Sequence, residues 1–398
     1  MKRSKAWSVL DGAFVFVFFA VLCLVAILTV FRPKAQYSFF ENRNLAVFPE
    51  LKSETVLDGT YFKDLDTYIQ DHAAGRELCL KSDTFIDLYV LRRPVINDRI
   101  VVAGDVLLPY KEYSTVDTAA IETGAEAVSE NLLRHSEEVR EYGGEFYFVA
   151  VPCQYVCYED SYPWYLNNLS DYTEASSSAL FSKLDEKGVK YVDMRAVASE
   201  SGSLAGYSSK VDNHFGIEGA YQTYRAVMER IKEDGGPADL VLNDGDYSIE
   251  YLPNKYLGSR GRQLFGLWET DEKLAVIYPK EEIPFERYDN DNVFPLTAVY
   301  SIPAENEEAL YSLYMAGDIG RTEIRTGRDG LPDVLIYGDS FTNAVECVAW
   351  YSFDTTYTVD FRHYKDKTLS ELIEERKPDI VICIRDYEAF LTAFDNGQ

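Results

Sequence analysis

Short apolar runs that recur along this 398-residue chain constrain its fold more than any other feature. Residues 146–151 and 333–337 have the nearly continuous apolar pattern of strands that are covered on both faces of a sheet. Further strands are predicted at 189–193, 355–360 and 379–384, and helices at 119–142, 174–187, 216–234, 342–351, 368–377 and 387–394. Strands that alternate with helices favour a mostly parallel sheet with helices on both faces. We therefore predict an α/β three-layer sandwich, with its active site at the carboxyl ends of the strands.

Residues 238–330 interrupt the alternation of strands and helices. This stretch is rich in Tyr, Phe and Pro and contains only short β-like runs. Such a composition favours short strands joined by turns over long helices. We therefore predict an inserted β-rich subregion at 238–330 within a larger domain that spans 35–398.

The segment 13–31 is apolar except for Thr29. At about 1.5 Å rise per residue, a helix of this length just spans the ~30 Å hydrocarbon core of a bilayer. Three basic residues within the first five positions favour a cytoplasmic N-terminus. Because the segment is not followed by a small-x-small cleavage site, we expect an uncleaved single-pass anchor rather than a signal peptide. Residues 1–34 would then form the cytoplasmic tip and anchor, and the rest of the chain would lie outside the cytoplasm.

The formal net charge of −27 argues against nucleic acid as a partner, because an acidic surface repels phosphate backbones. The cysteine pattern gives little support for a metal. Cys153 and Cys157 form one C-x3-C pair with no second pair, which is too little for a zinc site, and a local disulfide between them remains open. We predict neither a metal nor a cofactor.

Gly338-Asp339-Ser340-Phe341 lies between a predicted strand and a predicted helix. A serine at such a turn is exposed, and the N-terminus of the following helix offers backbone N–H groups to a developing oxyanion. Ser340 is therefore a candidate nucleophile, although a Gly-Asp-Ser turn alone is common. Asp339 is expected to cap the helix rather than to react.

A serine nucleophile needs a base, and the chain has only four histidines. Only His214 has a carboxylate two residues before it, in Asp212-Asn213-His214-Phe215. In an extended loop Asp212 and His214 would point the same way, so Asp212 could hold Nδ1–H and leave Nε2 free for Ser340. An Asp-x-His sequence on its own is more common in surface turns and helix caps, but the pair and the serine together favour a catalytic site.

The serine block and the Asp-x-His block resemble those of SGNH hydrolases, in reversed order. This circularly permuted order resembles the branch of membrane-tethered alginate O-acetyltransferase-like proteins and DHHW proteins. The segments 41–45, 68–76, 104–105, 360–362 and 379–381 resemble further motifs of that branch. Phe215 stands where the family has a tryptophan, so an aromatic wall is kept at that position.

The resemblance implies an SGNH-hydrolase-like fold in which Ser340 is the nucleophile, His214 the general base and Asp212 the residue that orients the imidazole. The oxyanion hole would use the Ser340 N–H and others nearby. The remaining candidates for the oxyanion hole or the pocket wall are Gly338, Asp339, Gln154 and Arg362, of which Gln154 and Arg362 follow predicted strands and have structural roles as an alternative.

The function implied by the resemblance is extracytoplasmic transfer of an acyl group, most simply acetyl, to a cell-surface polysaccharide. In this family an integral membrane acyltransferase of the MBOAT type supplies the acyl group, so such a partner is implied as well. A carbohydrate acetylesterase would use the same three residues. A non-catalytic glycan-binding or scaffold protein of the cell envelope is a third hypothesis. It predicts either that Ser340 and His214 lie far apart or that Ser340→Ala leaves the biological role intact.

Overall fold

The computed structural model describes residues 5–202, 204–236 and 241–392. Two compact units are present. One contains the chain up to Asn97 together with Gly261–Trp268, and the other contains Asp98–Arg260 and the chain from Glu269 onward.

The first unit begins with the long helix α1, Lys5–Phe31. Its portion Asp11–Phe31 has a mean hydropathy of 3.1 and no buried residues, so it is long and apolar enough to cross a membrane. The remaining elements of this unit are short: β1 (Tyr37–Ser38), β2 (Arg43–Asn44), α2 (Ser53–Leu57), α3 (Thr60–His72), α4 (Arg76–Phe85), a π-helical turn (Ile86–Leu91) and β3 (Val95–Ile96).

Two ion pairs join the two sequence segments of this unit that resemble family motifs. Arg43 contacts both carboxylate oxygens of Asp71, at 2.5 and 2.9 Å, and Arg76 contacts both oxygens of Glu41, at 2.5 and 3.0 Å. The hydrogen bond from Arg43 is the main reason that the pKa of Asp71 falls to about 2. The segments 41–45 and 68–76 are therefore joined by two ion pairs.

The second unit is built on a seven-stranded sheet. Its strands and helices, in chain order, are β4 (Ile100–Ala103), β5 (Val106–Pro109), α5 (Thr118–Arg140), β6 (Glu145–Val151), α6 (Gln154–Cys157), α7 (Ser170–Lys187), β7 (Tyr191–Asp193), α8 (Met194–Glu200), α9 (Leu204–Tyr207), α10 (Ile217–Glu233), β8 (Tyr247–Tyr251), α11 (Gly258–Gln263, whose last residues belong to the first unit), β9 (Ala275–Pro279), β10 (Glu286–Asp289), β11 (Arg321–Arg325), β12 (Val334–Gly338), α12 (Thr342–Ala349), β13 (Thr355–Val359), α13 (Leu369–Arg376) and β14 (Ile380–Asp386). The order of the strands in the seven-stranded sheet is β10-β11-β13-β12-β14-β6-β7.

Strands β13, β12, β14, β6 and β7 are parallel, which confirms the predicted α/β fold. The central strands are buried along their whole length, as their apolar sequences require. The stretch 238–330 contains the antiparallel pair β8–β9, and it also supplies β10 and β11, which extend the main sheet in antiparallel orientation. Residues 237–240, at its start, lie outside the described residues.

The helix predicted at 387–394 is wrong over the described residues 387–392, which form turns. The side chain of Asp386 accepts from the N–H groups of Glu388 and Ala389, and the Arg385 guanidinium donates to the carbonyls of Ala389 and Thr392. The Arg385 guanidinium thus takes up two carbonyls that a continuing helix would need, whereas the bonds to Asp386 satisfy N–H groups that the first turn of a helix leaves free. Cys153 and Cys157, whose pairing the sequence leaves open, are buried and not bonded to each other.

Candidate active site

The candidate nucleophile lies on a tight turn at the carboxyl end of the central strand β12. The Thr342 N–H donates to the Asp339 carbonyl (3.0 Å), and the Phe341 N–H donates to the Asp339 side chain (3.0 Å). Asp339 thus binds an N–H just before α12, not one within its first turn. Gly338 is needed for packing, because a Cβ there would lie 2.1 Å from the carbonyl oxygen of Ile384 on β14. Ser340 is half-buried at this turn.

The candidate base lies on the loop between α9 and α10. The hydroxyl of Ser209 accepts from the N–H groups of Val211 and Asp212, at 3.1 and 2.9 Å. The Ser209 N–H donates in turn to the carbonyl of His214 (3.1 Å) and closes the loop. Asp212 is therefore held in a fixed position in the interior, where it is 3% exposed.

Asp212, His214 and Ser340 form a continuous hydrogen-bonded chain. The His214 Nδ1 atom lies 2.7 Å from Asp212 Oδ1, and Nε2 lies 2.7 Å from the Ser340 hydroxyl. Because a carboxylate can only accept, Nδ1 carries the proton and Nε2 accepts from Ser340. The side-chain nitrogen of Asn213 lies 3.3 Å from the same Nε2 and is a second donor to it.

Asp212 is held as a carboxylate by the donors around it. Burial, the largest influence, acts to raise its pKa, but it is outweighed by the hydrogen bond and charge of His214 and by two backbone N–H groups. These N–H groups belong to His214, at 3.0 Å, and to Ser259, at 2.6 Å. The pKa of Asp212 therefore falls to about 2, so this carboxylate is ionised at neutral pH.

Aromatic rings enclose the imidazole of His214. Tyr311 stacks on it with a centroid distance of 3.9 Å and an interplanar angle of 7°, and Phe341 lies 4.9 Å away. The Tyr311 hydroxyl also donates to the Ser340 carbonyl at 3.0 Å, so one side chain contacts both loops of the site. Phe215, which replaces the family's tryptophan, is buried and packs edge-on against Phe341.

Tyr311 and Ser259 were not identified from the sequence. Both lie in the stretch 238–330, whose many aromatic residues gave no reason to single out one tyrosine. Gly258, directly before Ser259, is a weak sequence signal for a close approach of this segment to another part of the chain. Its φ is +64°, and a Cβ there would lie 2.1 Å from the carbonyl of Val211, so only glycine lets this chain segment approach the Asp212 loop.

Two pocket candidates from the sequence, Gln154 and Arg362, make hydrogen bonds and ion pairs with other protein groups. Gln154 is fully buried behind the His214 loop, where it donates to the Ser209 carbonyl (3.0 Å) and accepts from Arg260 (2.5 Å). Arg362 forks onto Asp360 and also contacts Asp318 at 3.2 Å. Gln154 therefore supports the loop of the candidate base, and Arg362 is engaged by two carboxylates.

The side chain of Asp339 points toward β14. Its Oδ2 lies 3.6 Å from Arg385 Nε, and Asp339 is buried. Burial and the neighbouring Asp339 carboxylate raise the pKa of Asp386 well above its usual range. Asp339 thus belongs to a buried polar cluster beneath Ser340.

Asp318, Asp360 and His363 bring three possible metal-ligand atoms within 4.8 Å of one another. The Arg362 guanidinium contacts the carboxylates of both Asp318 and Asp360. Because one guanidinium already pairs with both carboxylates, the cluster is better described as an ion-pair network.

The parallel sheet, with a serine after its central strand and an Asp-x-His loop beside it, has the architecture of the SGNH hydrolase-like class. A family model described as "SGNH hydrolase-like domain, acetyltransferase AlgX" matches residues 108–289, and the DHHW protein model matches residues 41–143. The first match includes Asp212 and His214 and ends before Ser340.

Solved structures agree with the fold. PatB1 of Bacillus cereus is 21% identical, with a TM-score of 0.62, over 75% of this chain and all of that chain. A DHHW family protein from Eubacterium siraeum is 18% identical, with a TM-score of 0.56, over 76% of this chain and 95% of that chain. Comparison with curated protein sequences gives no match. The two family models confirm the resemblance to alginate O-acetyltransferase-like and DHHW proteins, and the solved structures confirm the fold.

Proposed function

We propose that this protein is a membrane-anchored, extracytoplasmic O-acyltransferase that acetylates a polysaccharide through an acyl-serine intermediate. The observation that carries the proposal is the chain of two 2.7 Å contacts from Asp212 through His214 to Ser340. The non-catalytic hypothesis predicts either a long distance between His214 and Ser340, which this geometry speaks against, or a biological role that survives Ser340→Ala. The match to an acetyltransferase family model supports acetyl as the group transferred.

Each residue has a defined role in the proposed reaction. His214 Nε2 takes the proton of Ser340 while Oγ attacks the acetyl carbonyl, and the leaving group then takes this proton from His214. The Ser340 N–H, two residues before α12, is the proposed donor to the oxyanion. In the second half, His214 removes a proton from a sugar hydroxyl, which attacks the acetyl-serine. Ser340 leaves and regains its proton, and the carboxylate of Asp212 stabilises the imidazolium in both halves.

The aromatic enclosure of His214 favours transfer over hydrolysis. The rings of Tyr311 and Phe341 lie against the base, and Phe215 packs against Phe341. Apolar walls exclude water from the region in which the acyl-serine would wait for an acceptor. Hydrolysis by the same residues, the esterase alternative, remains the outcome to test.

The helix α1 supports anchoring, with the second unit outside the cytoplasm. An acyl-serine on the outside needs a donor that brings the acyl group across the membrane. An integral membrane acyltransferase of the MBOAT type fits this need and is the proposed partner.

The proposal is tested with the full chain in detergent micelles. We expect wild type to hydrolyse p-nitrophenyl acetate and to show an acetyl group on Ser340 by mass spectrometry. Ser340→Ala should abolish both, whereas Ser199→Ala, at an exposed helical serine, should change neither. Equal turnover by wild type and Ser340→Ala would refute the proposal. Addition of a glycan acceptor then distinguishes the two activities. A transferase passes the acetyl group from Ser340 to the sugar, and an esterase passes it to water.

A further inference from the structure

A groove of about 520 Å³ lies at the edge of the sheet that also carries Ser340. Two of its lining residues, Tyr155 and Glu388, follow the carboxyl ends of β6 and β14. Strand β14 is hydrogen-bonded to β12, which ends just before Ser340, and β6 is the next strand along. With strands about 4.8 Å apart, the end of β6 lies roughly 10 Å from that of β12. A polymer in the groove could therefore extend to Ser340.

Exposed aromatic side chains border this groove. Tyr113 lines it and is 78% exposed. Trp164 and Tyr165 lie on a neighbouring loop and are 93% and 56% exposed. The loop is fixed beside the groove at both ends, because Tyr162 donates to the Pro109 carbonyl (2.8 Å) and Asn167 to the Glu112 carbonyl (3.2 Å).

This arrangement fits a carbohydrate. Trp164 and Tyr165 pack on each other with a centroid distance of 5.6 Å, and exposed apolar surface at the rim of a groove is typical of a binding site. The C–H faces of sugar rings pack on aromatic rings, while sugar hydroxyls bind polar side chains such as those of Asn167 and Asp171, which line the groove.

The charge of the groove restricts which carbohydrate it can bind. Its lining contains one lysine, Lys111, and four carboxylates, Glu112, Asp117, Asp171 and Glu388, a formal net charge of −3. Lys111 is moreover 3.5 Å from Glu388, so its charge is already paired. A polymer of uronic acids would place like charges against these carboxylates, which weakens binding and slows encounter.

We propose that this groove binds the acceptor polysaccharide, and that the acceptor is a glycan without carboxylate groups. This inference rests on the proposed acyl transfer at Ser340. Trp164 and Tyr113 stack on the sugar rings of the acceptor glycan, and the acidic lining of the groove excludes uronate polymers.

The test measures binding to the full chain with Ser340→Ala as background, so that acyl chemistry plays no part. The probes are a neutral N-acetylglucosamine hexamer and a galacturonic acid hexamer, titrated by calorimetry. We expect the neutral hexamer to bind at least tenfold more tightly than the uronate. Trp164→Ala should lower the affinity for the neutral hexamer at least tenfold. Phe294→Ala removes an aromatic residue that is 75% exposed elsewhere on this unit, and it should have no effect.

A charge-reversal variant tests the second half of the proposal. The double change Glu112→Lys and Asp171→Lys alters the formal charge of the lining from −3 to +1 and should raise the affinity for the uronate hexamer at least tenfold. Equal binding of the two hexamers by the unreversed protein would overturn the exclusion of uronates. Unchanged binding in Trp164→Ala would overturn the proposed glycan site, whether or not the wild-type chain forms acetyl-serine. Trp164-dependent binding, together with a wild-type chain that never forms acetyl-serine, would instead overturn the proposed function and leave the glycan site standing.

Discussion

Replacement of Asp212 by asparagine tests the hydrogen-bonded chain with little change in shape. The carboxylate accepts from His214 Nδ1 at 2.7 Å. An asparagine amide in the same place can present its NH₂ group to Nδ1, which places the histidine proton on Nε2, facing Ser340. The base is then in the wrong tautomer, and this defect costs about 10⁴-fold in kcat, or roughly 5 kcal/mol of transition-state stabilisation.

The same change alters the pH dependence of stability. The pKa of Asp212 is about 2 in the folded protein, against an ordinary value of 3.8. A lowered pKa adds stability above the unfolded pKa, and this contribution disappears as the pH falls through the folded pKa. The difference corresponds to about 2 kcal/mol lost between about pH 5 and pH 2. The asparagine variant cannot titrate at this position and should lack this part of the acid destabilisation.

Two measurements check these expectations: p-nitrophenyl acetate turnover at neutral pH, and chemical denaturation from pH 5 to pH 2. Asp366→Asn, at an exposed aspartate, is the matched control and should resemble wild type in both. A turnover number within tenfold of wild type for Asp212→Asn would refute the proposed role of Asp212. An acid-stability profile that runs parallel to wild type would refute the lowered pKa.

Three further predictions concern residues around the site. Tyr311→Phe keeps the stacked ring and loses the hydrogen bond to Ser340, so kcat should fall less than tenfold. Tyr311→Leu removes the ring that holds the imidazole of His214 in position, so kcat should fall at least about tenfold. Esterase assays measure kcat for both variants. Gly338→Ala should destabilise the fold by about 1–3 kcal/mol or more in denaturant unfolding, whereas Gly330→Ala, with nothing within 4 Å, should be nearly neutral. Burial raises the pKa of Glu272 to about 7, so the stability it contributes is present below about pH 4.5 and lost as the pH rises to about 7. Glu272→Gln should remove this loss, and denaturation at pH 5 and pH 8 measures it.

The sheet and the main parts of the site could be predicted because their signals are local. Apolar runs of five to seven residues mark β6, β12 and β14 whatever their partners are. The Asp212–His214 pair and the Ser340 turn each lie within four residues, so their spacing is visible in the sequence. Their contact spans 126 residues and was inferred from the chemistry that a serine nucleophile requires.

What the sequence did not predict depends on long-range contacts. Ser259 reaches Asp212 across 47 residues, and Tyr311 reaches Ser340 across 29, and neither contact follows from a repeating pattern. The false helix at 387–394 has a related cause. Its amino acids suit a helix, but the Arg385 side chain takes up the carbonyls of Ala389 and Thr392, which a continuing helix would use.

The stretch 238–330 is therefore more than an addition to a complete site. Through Ser259 it supplies an N–H donor that helps to keep Asp212 ionised, and through Tyr311 it supplies the ring on which His214 rests. It also provides β10 and β11, which pair next to β13 and extend the sheet. Since Tyr311 contacts both the base and the main chain of the nucleophile, it fixes the distance between two loops that come from distant parts of the sequence. In this permuted arrangement the Asp-x-His loop precedes the serine by more than a hundred residues, and the intervening chain itself carries the groups that hold the two together.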